Sequence, residues 1–356
     1  MPAIIAVSCS VPRHAIAQDQ IRRFAVRMFD ASGLDVDRLL PIFENTTIGK
    51  RHFCMDPGWY ETPHSFDLKN RCFQENGIAL AREAVHKVCA RTDIPPHAID
   101  HVFFITSTGI ATPSLDAHLF NELEFKPTVL RTPIWGLGCG GGVAGMARAS
   151  DWLKAYPRKT ALVVALELCS LTFIRNDLSK SNFVATALFG DGCGALLMVG
   201  DDHPQAAASG PALRIQATDS ITWRDSLSVM GWELTDAGLQ VVFSKNIPQI
   251  VLRLAQPAIE GFIERNDLSR EDIRHFLSHP GGAKVIEAYC KALDLQEHHV
   301  LSMRKVLTDY GNMSSATVYF VIAHFLDSTL YRSGDWVLTT ALGPGFFSEM
   351  LLARCR

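Results

Sequence analysis

The chain repeats itself once, and no other feature of the sequence limits its fold as strongly. Residues 93–104 start at Asp93, step through a Pro-rich turn to Ile99 and His101, and end in the apolar run Val102-Phe103-Phe104. Residues 267–278 follow the same course without a gap, from Asp267 through Ile273 and His275 to Phe276-Leu277-Ser278, at an offset of 174 (267 − 93). A second pair recurs at almost that distance: Gly138-Cys139 precedes one helical pattern and Gly311-Asn312 another, 173 residues apart (311 − 138). After each comes a turn and a strand-like run, Thr160–Ala165 and then Trp336–Thr340. Repeats this long are duplicated halves rather than solenoid units. Each half alternates strand and helix patterns, so the expected class is α/β with buried, partly parallel sheets. The Asp-, Ala-, Gly- and Pro-rich stretch 201–211 reads as the link, which places the halves at 1–205 and 206–356. Pseudo-symmetry gathers equivalent loops. Cys139 and Asn312, at matching helix starts, are expected to face one another, with His279 joining them from the end of the second repeated strand.

A chain of 356 residues, 47% hydrophobic and 20% charged, can bury the core that two such halves require. A net charge of −3 argues against a nucleic-acid partner, which calls for a basic surplus. Nine cysteines without a CxxC pair argue against a zinc site or a disulfide framework. With no signal-peptide pattern in residues 1–12, they point to a reducing, cytoplasmic setting. The most apolar run, Ala161–Leu171, is too short to span a bilayer and contains Glu167.

Three segments carry chemistry. In Gly136-Leu137-Gly138-Cys139-Gly140-Gly141-Gly142 a strand-like run ends in glycines and a helix follows. Cys139 then sits near a helix N-terminus, where the dipole and free N–H groups favour a thiolate nucleophile; the alternative is the buried structural role assigned to most other cysteines. In Phe276-Leu277-Ser278-His279-Pro280-Gly281-Gly282 an apolar strand delivers His279 to its carboxyl end, where α/β folds place ligand chemistry. His279 can pair with the thiol and donate to a thioester oxygen, or serve as a hydrogen-bonded structural histidine. Asn312, in Gly311-Asn312-Met313-Ser314-Ser315-Ala316, can cap the next helix or donate to a developing enolate oxygen.

These segments, with Ala187-Leu188-Phe189-Gly190-Asp191-Gly192 and Gly343-Pro344-Gly345, resemble the type III polyketide synthases of the chalcone synthase superfamily, in order and over nearly the whole chain. The resemblance implies a homodimer of thiolase-like αβαβα fold. It implies an acyltransferase without cofactor or metal that condenses malonyl-CoA iteratively onto an acyl-CoA starter. Cys139 would carry the chain while His279 and Asn312 bind thioester carbonyls. Within the family the glycine-rich segment is similar to the bacterial branch that makes alkylpyrones and alkylresorcinols from fatty acyl-CoA. Pocket roles carry over by position to Phe189 (gatekeeper), Thr172, Ser107, Thr108, Ser314, Gly281 and Gly282, and Thr112 falls where the family reaches across its dimer interface. Two positions depart: Trp232 replaces a glycine and Val241 the second gatekeeper phenylalanine, so one wall of the pocket is filled and another opened. Of the family's basic CoA-phosphate residues only Arg38 matches; Pro41 and Asn45 replace the others, leaving Lys50 and Arg51 as substitutes.

Three alternatives share parts of this pattern. An initiating ketoacyl-acyl carrier protein synthase has the same catalytic residue types but His-Gln-Ala-Asn in place of His279-Pro280-Gly281-Gly282. A non-catalytic acyl-binding protein on the same fold would not need Cys139, His279 and Asn312 intact. A papain-like hydrolase uses Cys, His and Asn but lacks duplicated halves.

Overall fold

The computed structural model describes residues 1–356 except 31, 32, 34, 208, 209 and 244–246. Its strands are β1 (Ala3–Ser10), β2 (His14–Ala17), β3 (Lys50–Phe53), β4 (His101–Thr106), β5 (Leu130–Trp135), β6 (Thr160–Leu168), β7 (Asp191–Val199), β8 (Leu213–Thr222), β9 (Met230–Thr235), β10 (Gly238–Phe243), β11 (Ile273–Phe276), β12 (Trp336–Gly343) and β13 (Phe347–Cys355). Nine of them form one sheet in the order β11-β12-β13-β8-β1-β7-β6-β4-β5. Outward from the middle, both halves run alike. β1 and β8 each pair antiparallel with the last strand of their half (β7, β13), then come β6 and β12, antiparallel again, then β4 and β11, parallel. The two runs meet where β1 pairs antiparallel with β8.

Sequence explains the layering. Every residue of β6, Thr-Ala-Leu-Val-Val-Ala-Leu-Glu-Leu, is buried, as expected of a strand covered on both faces. The helices Gly141–Ala155 and Thr317–Leu326 supply the inner cover, touching strands of both halves. They approach closely because Gly142 has no side chain: a Cβ there would lie 2.3 Å from the Ser315 carbonyl oxygen. The long helix Phe66–Thr92 covers β1, β7 and β6 from outside, and the helices Gln256–Glu264 and Ala283–Leu293 join the core of the second half. β1 and β8 join the sheet through two residue pairs only, so its two halves act as separate layers, and helix, sheet, helix pair, sheet and helix stack in five layers.

The first repeated segment is present in backbone detail. Asp93 and Asp267 both take the left-handed conformation (φ +53° and +56°), and a short 3₁₀ turn follows each, Pro96–Ala98 and Arg270–Asp272. The second pair is registered differently from the sequence reading. Gly138 (φ +47°) and Ser314 (φ +46°) each open a 3₁₀ turn that leads into a central helix, so Cys139 corresponds to Ser315 at an offset of 176 (314 − 138). β6 and β12 share that offset (336 − 160). The second half has gained two residues between its repeated strand and this turn, which leaves Asn312 three residues upstream of the position equivalent to Cys139. In the stretch 201–211, Pro204–Ala207 form a 3₁₀ turn, while residues 208 and 209 lie outside the described residues.

Candidate active site

Cys139, His279 and Asn312 line one cavity of about 490 Å³. Cys139 stands in the 3₁₀ turn Gly138–Gly140 that follows β5, and the turn is pinned from behind: the Gly138 N–H donates to the Ser107 hydroxyl at 2.9 Å. His279 follows β11, its backbone N–H donating to the Thr340 carbonyl. Asn312 follows the helix Glu297–Tyr310; its backbone N–H and C=O bind Leu188 and Gly190, fixing the strand-like pair Phe189 and Asn312. Three elements from both halves therefore meet at one point.

The electrostatics differ from the sequence reading at Cys139. The helix beyond it starts only at Gly141, and burial pushes the thiol up to about 12, relieved in part by a hydrogen bond with Ser314 and worsened by the Glu167 charge. Burial thus favours the thiol over the thiolate. His279 is buried, neither ring nitrogen has a partner among the described residues, and burial lowers its pKa to about 4. It is a neutral imidazole with one donor and one acceptor available to whatever occupies the cavity. The Asn312 amide donates one N–H to the Gly281 carbonyl at 2.9 Å, and its oxygen accepts the Ser314 N–H at 2.8 Å. One amide N–H remains for a ligand.

The pocket residues fall into two groups. Gly281, Gly282 and Arg38 line the Cys139 cavity. Phe189, Thr172 and Val241 line a second cavity of about 300 Å³, walled mostly by apolar side chains such as Ile21, Phe24, Phe53 and Phe173. The helix Lys180–Leu188 divides the two: Phe183, Val184 and Leu188 face the first, Ala185 and Thr186 the second. From the β9–β10 hairpin, Phe243 lines the first cavity and Val241 the second; Trp232, expected to fill one wall, lines neither and packs on Phe189 at a centroid distance of 5.9 Å, as Phe243 does at 5.7 Å. Ser107 and Thr108 are buried behind Cys139 rather than set on the main cavity wall, holding the Gly138 and Leu168 N–H groups.

Two of the proposed CoA contacts are displaced. Lys50 is exposed on β3 and lines neither cavity. Arg51 is fully buried, its guanidinium donating to the carbonyls of Thr186 and Phe189 and to Gln18 Oε1, each at 2.7 Å. Burial, opposed by Asp191, lowers its pKa to about 9. Arg51 supports the backbone of Phe189 and is buried away from the lining of the Cys139 cavity, and its Nε–H has no partner among the described residues. Sequence reasoning passed over Lys180 and Lys284, which line the Cys139 cavity with Arg38; no carboxylate occurs among its described lining residues. All three cations are exposed and without an ion pair among the described residues. The available signal was a lysine just inside each of two helix starts, Ser179-Lys180 and Gly282-Ala283-Lys284.

Glu167 was also passed over, although a carboxylate inside the apolar run of β6 is its own signal. Fully buried, it accepts the Ser107 N–H (3.0 Å), the Thr108 hydroxyl (2.8 Å) and the Ser315 hydroxyl (2.5 Å), so it braces the turns on both sides of the pseudo-twofold. Burial raises its pKa to about 7 against these bonds.

Comparison with known proteins agrees with this geometry. The N-terminal domain of chalcone and stilbene synthases matches residues 2–203 and the C-terminal domain residues 216–355. A Bacillus subtilis (strain 168) protein whose name likens it to chalcone synthase is 41% identical, covering 99% of this chain and 98% of its own. The 1,3,6,8-tetrahydroxynaphthalene synthase of Streptomyces peucetius subsp. caesius is 32% identical over 99% of this chain and 93% of its own. The solved structure of the Streptomyces coelicolor A3(2) enzyme of that name, a bacterial type III polyketide synthase, superposes with a TM-score of 0.92 at 26% identity, covering 98% and 97% of the two chains. A thiolase-like αβαβα fold, a Cys–His–Asn cavity and these matches lead to one statement: the chain belongs to the chalcone and stilbene synthase family and is a type III polyketide synthase, an acyltransferase that condenses malonyl-CoA iteratively, with CoA thioesters as substrates and no cofactor.

Proposed function

We propose that the starter is a long-chain fatty acyl-CoA, carried as a thioester on Cys139, and that the extended chain closes to an alkylpyrone or alkylresorcinol. The observation that carries this reading is the second cavity: an apolar space of about 300 Å³ behind Phe189 suits an alkyl tail better than a polar poly-β-keto chain. In loading, neutral His279 takes the Cys139 proton as sulfur attacks the starter carbonyl, and the proton leaves with the CoA thiol. Malonyl-CoA then loses CO₂. His279 and the spare Asn312 N–H stabilise the enolate oxygen, and the carbanion attacks the Cys139 thioester, expelling the sulfur. Arg38, Lys180 and Lys284 give the cavity mouth a positive field for the CoA phosphates.

A homodimer fits the exposed edge of the sheet. β5 ends it, and Leu130 (50% exposed) and Trp135 (54%) stand open there, a strand edge that soluble proteins cover. Nine free cysteines suit a reducing, cytoplasmic setting, and no described helix is long and apolar enough to cross a membrane. The deciding experiment incubates the protein with labelled malonyl-CoA and acyl-CoA starters of graded length, with mass spectrometry of the products. Long-chain pyrones or resorcinols support the reading. A single extension that requires an acyl carrier protein refutes it in favour of a ketoacyl synthase, and no condensation at all favours an acyl-binding protein.

A further inference from the structure

Among the described residues the β9–β10 hairpin forms a two-stranded sheet of its own and shares no strand pairing with the nine-stranded sheet. It nevertheless supplies part of the wall between the two cavities. Val241 stands opposite Trp232 in its register and Phe243 opposite Met230, and Trp232 and Phe243 rest on Phe189. Without ladder hydrogen bonds to the scaffold, the hairpin must be positioned by side chains. Lys69, from the helix Phe66–Thr92, does this at the turn. It is 5% exposed, and its ammonium donates to the carbonyl of Ala237, between β9 and β10, at 2.8 Å and to that of Phe173, on the second cavity, at 3.3 Å. No carboxylate pairs with it among the described residues, and burial lowers its pKa to about 8. Taking a cation out of water to bind two carbonyls is costly and is retained only where the geometry repays it. The turn is seated closely on it: a Cβ on Gly238 (φ +121°) would come 3.1 Å from Lys69 Nζ and 3.2 Å from the Phe66 ring. Further along β10, Gln240 donates to Asp177 at 3.3 Å.

We propose that Lys69 is a positioning residue for chain-length control. By tying the hairpin turn to the Phe173 loop, it holds Val241 and Phe243 against Phe189, between the two cavities, and so sets how far an alkyl tail passes from Cys139 into the second. Releasing it lets the hairpin lift, widens that passage and favours longer acyl chains. The proposal rests on the reading that the second cavity takes the alkyl tail.

The test compares wild type with Lys69→Met, Lys69→Arg and Gln240→Leu, using short- and long-chain acyl-CoA starters and malonyl-CoA decarboxylation as a control for the chemistry. Lys69→Met should shift the long-to-short ratio of kcat/KM by about tenfold, equivalent to one decade of binding discrimination, and broaden the range of product lengths while decarboxylation is kept. Lys69→Arg, which keeps the charge and the N–H donors, should hold the ratio closer to the wild-type value than Lys69→Met does. A folded Lys69→Met protein with the wild-type ratio, or one in which all starters fall in parallel, overturns the proposal alone. If Lys69→Met does not fold, Gln240→Leu carries the same criterion from the other anchor. A wild-type chain that condenses no acyl-CoA overturns the alkyl-tail reading and this proposal with it.

Discussion

Replacing Glu167 with Gln should make stability less dependent on pH, and the size of the effect follows from the structure. Burial raises this carboxyl from 4.5 to about 7, while three donors hold it in place. Below pH 4.5 both the folded and the unfolded chain keep the proton, and the group contributes no difference. Between 4.5 and 7 the unfolded chain releases it and the folded one does not, so stability falls as pH rises. Above 7 both are ionised and the folded state bears the full cost, about 3 kcal/mol from a 2.5-unit shift at 1.36 kcal/mol per unit. Gln keeps the shape. Its oxygen can accept from Ser107 and Thr108, and its amide can donate to a rotated Ser315 hydroxyl. Urea unfolding of both proteins at several pH values, read as a difference, cancels His279, whose lowered pKa acts in the opposite direction as pH falls below 6.5. The variant should gain about 3 kcal/mol on wild type between pH 4.5 and 7.5. Difference infrared spectra should show a protonated carboxyl stretch that titrates near 7 and vanishes in the variant. A flat difference, or a stretch that titrates in the ordinary carboxylate range, would refute the reasoning.

Cys139→Ala should lower condensation by about 10⁴-fold or more while part of the CO₂ release from labelled malonyl-CoA persists, because His279 and Asn312 remain; full condensation would remove Cys139 from the reaction. Lys180→Gln and Lys284→Gln should each raise KM for CoA thioesters by about three- to tenfold with kcat kept. N-acetylcysteamine thioesters, which lack the phosphates, should be unaffected, and an equal loss with them would place the lysines in a structural role. Arg51→Met strands two carbonyls and the Gln18 amide oxygen, so it should lower stability by about 3 kcal/mol or more, at 1–3 kcal/mol per unmet partner; an unchanged urea midpoint would contradict its assigned place.

The fold was readable because the same physical pattern occurs twice. Asp93 and Asp267 announce the same left-handed turn, and a strand follows each, β4 and β11. Register within the repeat was less accessible. Gly-Cys and Gly-Asn look alike as letters, but the conformation that matters is the positive φ shared by Gly138 and Ser314, and a serine does not advertise it. Cys139, His279 and Asn312 were legible because glycines and strand ends frame them. Their charge states were not, since those depend on burial that the local sequence does not display. Arg51 shows the same limit: next to Lys50 it looks like a surface cation, yet β3 alternates, and its side chain points inward to Phe189. Lys180 and Lys284 are separated by a hundred residues of sequence and meet only because the helices bearing them flank one cavity.

The seam between the halves sets a folding order. β1 lies between β7 and β8, with Ala3 opposite Val199 on one side and Arg214 on the other. During synthesis the segment 3–10 therefore waits through most of the first half before either neighbour exists. Closing such long loops is slow, and contacts this distant in sequence raise the contact order that governs folding rate. In the interval β1 is an apolar strand with two open edges, the kind of segment that chaperones cover and that aggregates when they do not. Yield on expression should therefore respond to substitutions at Ile4 and Val7, fully buried in the finished protein, more than their packing alone would suggest.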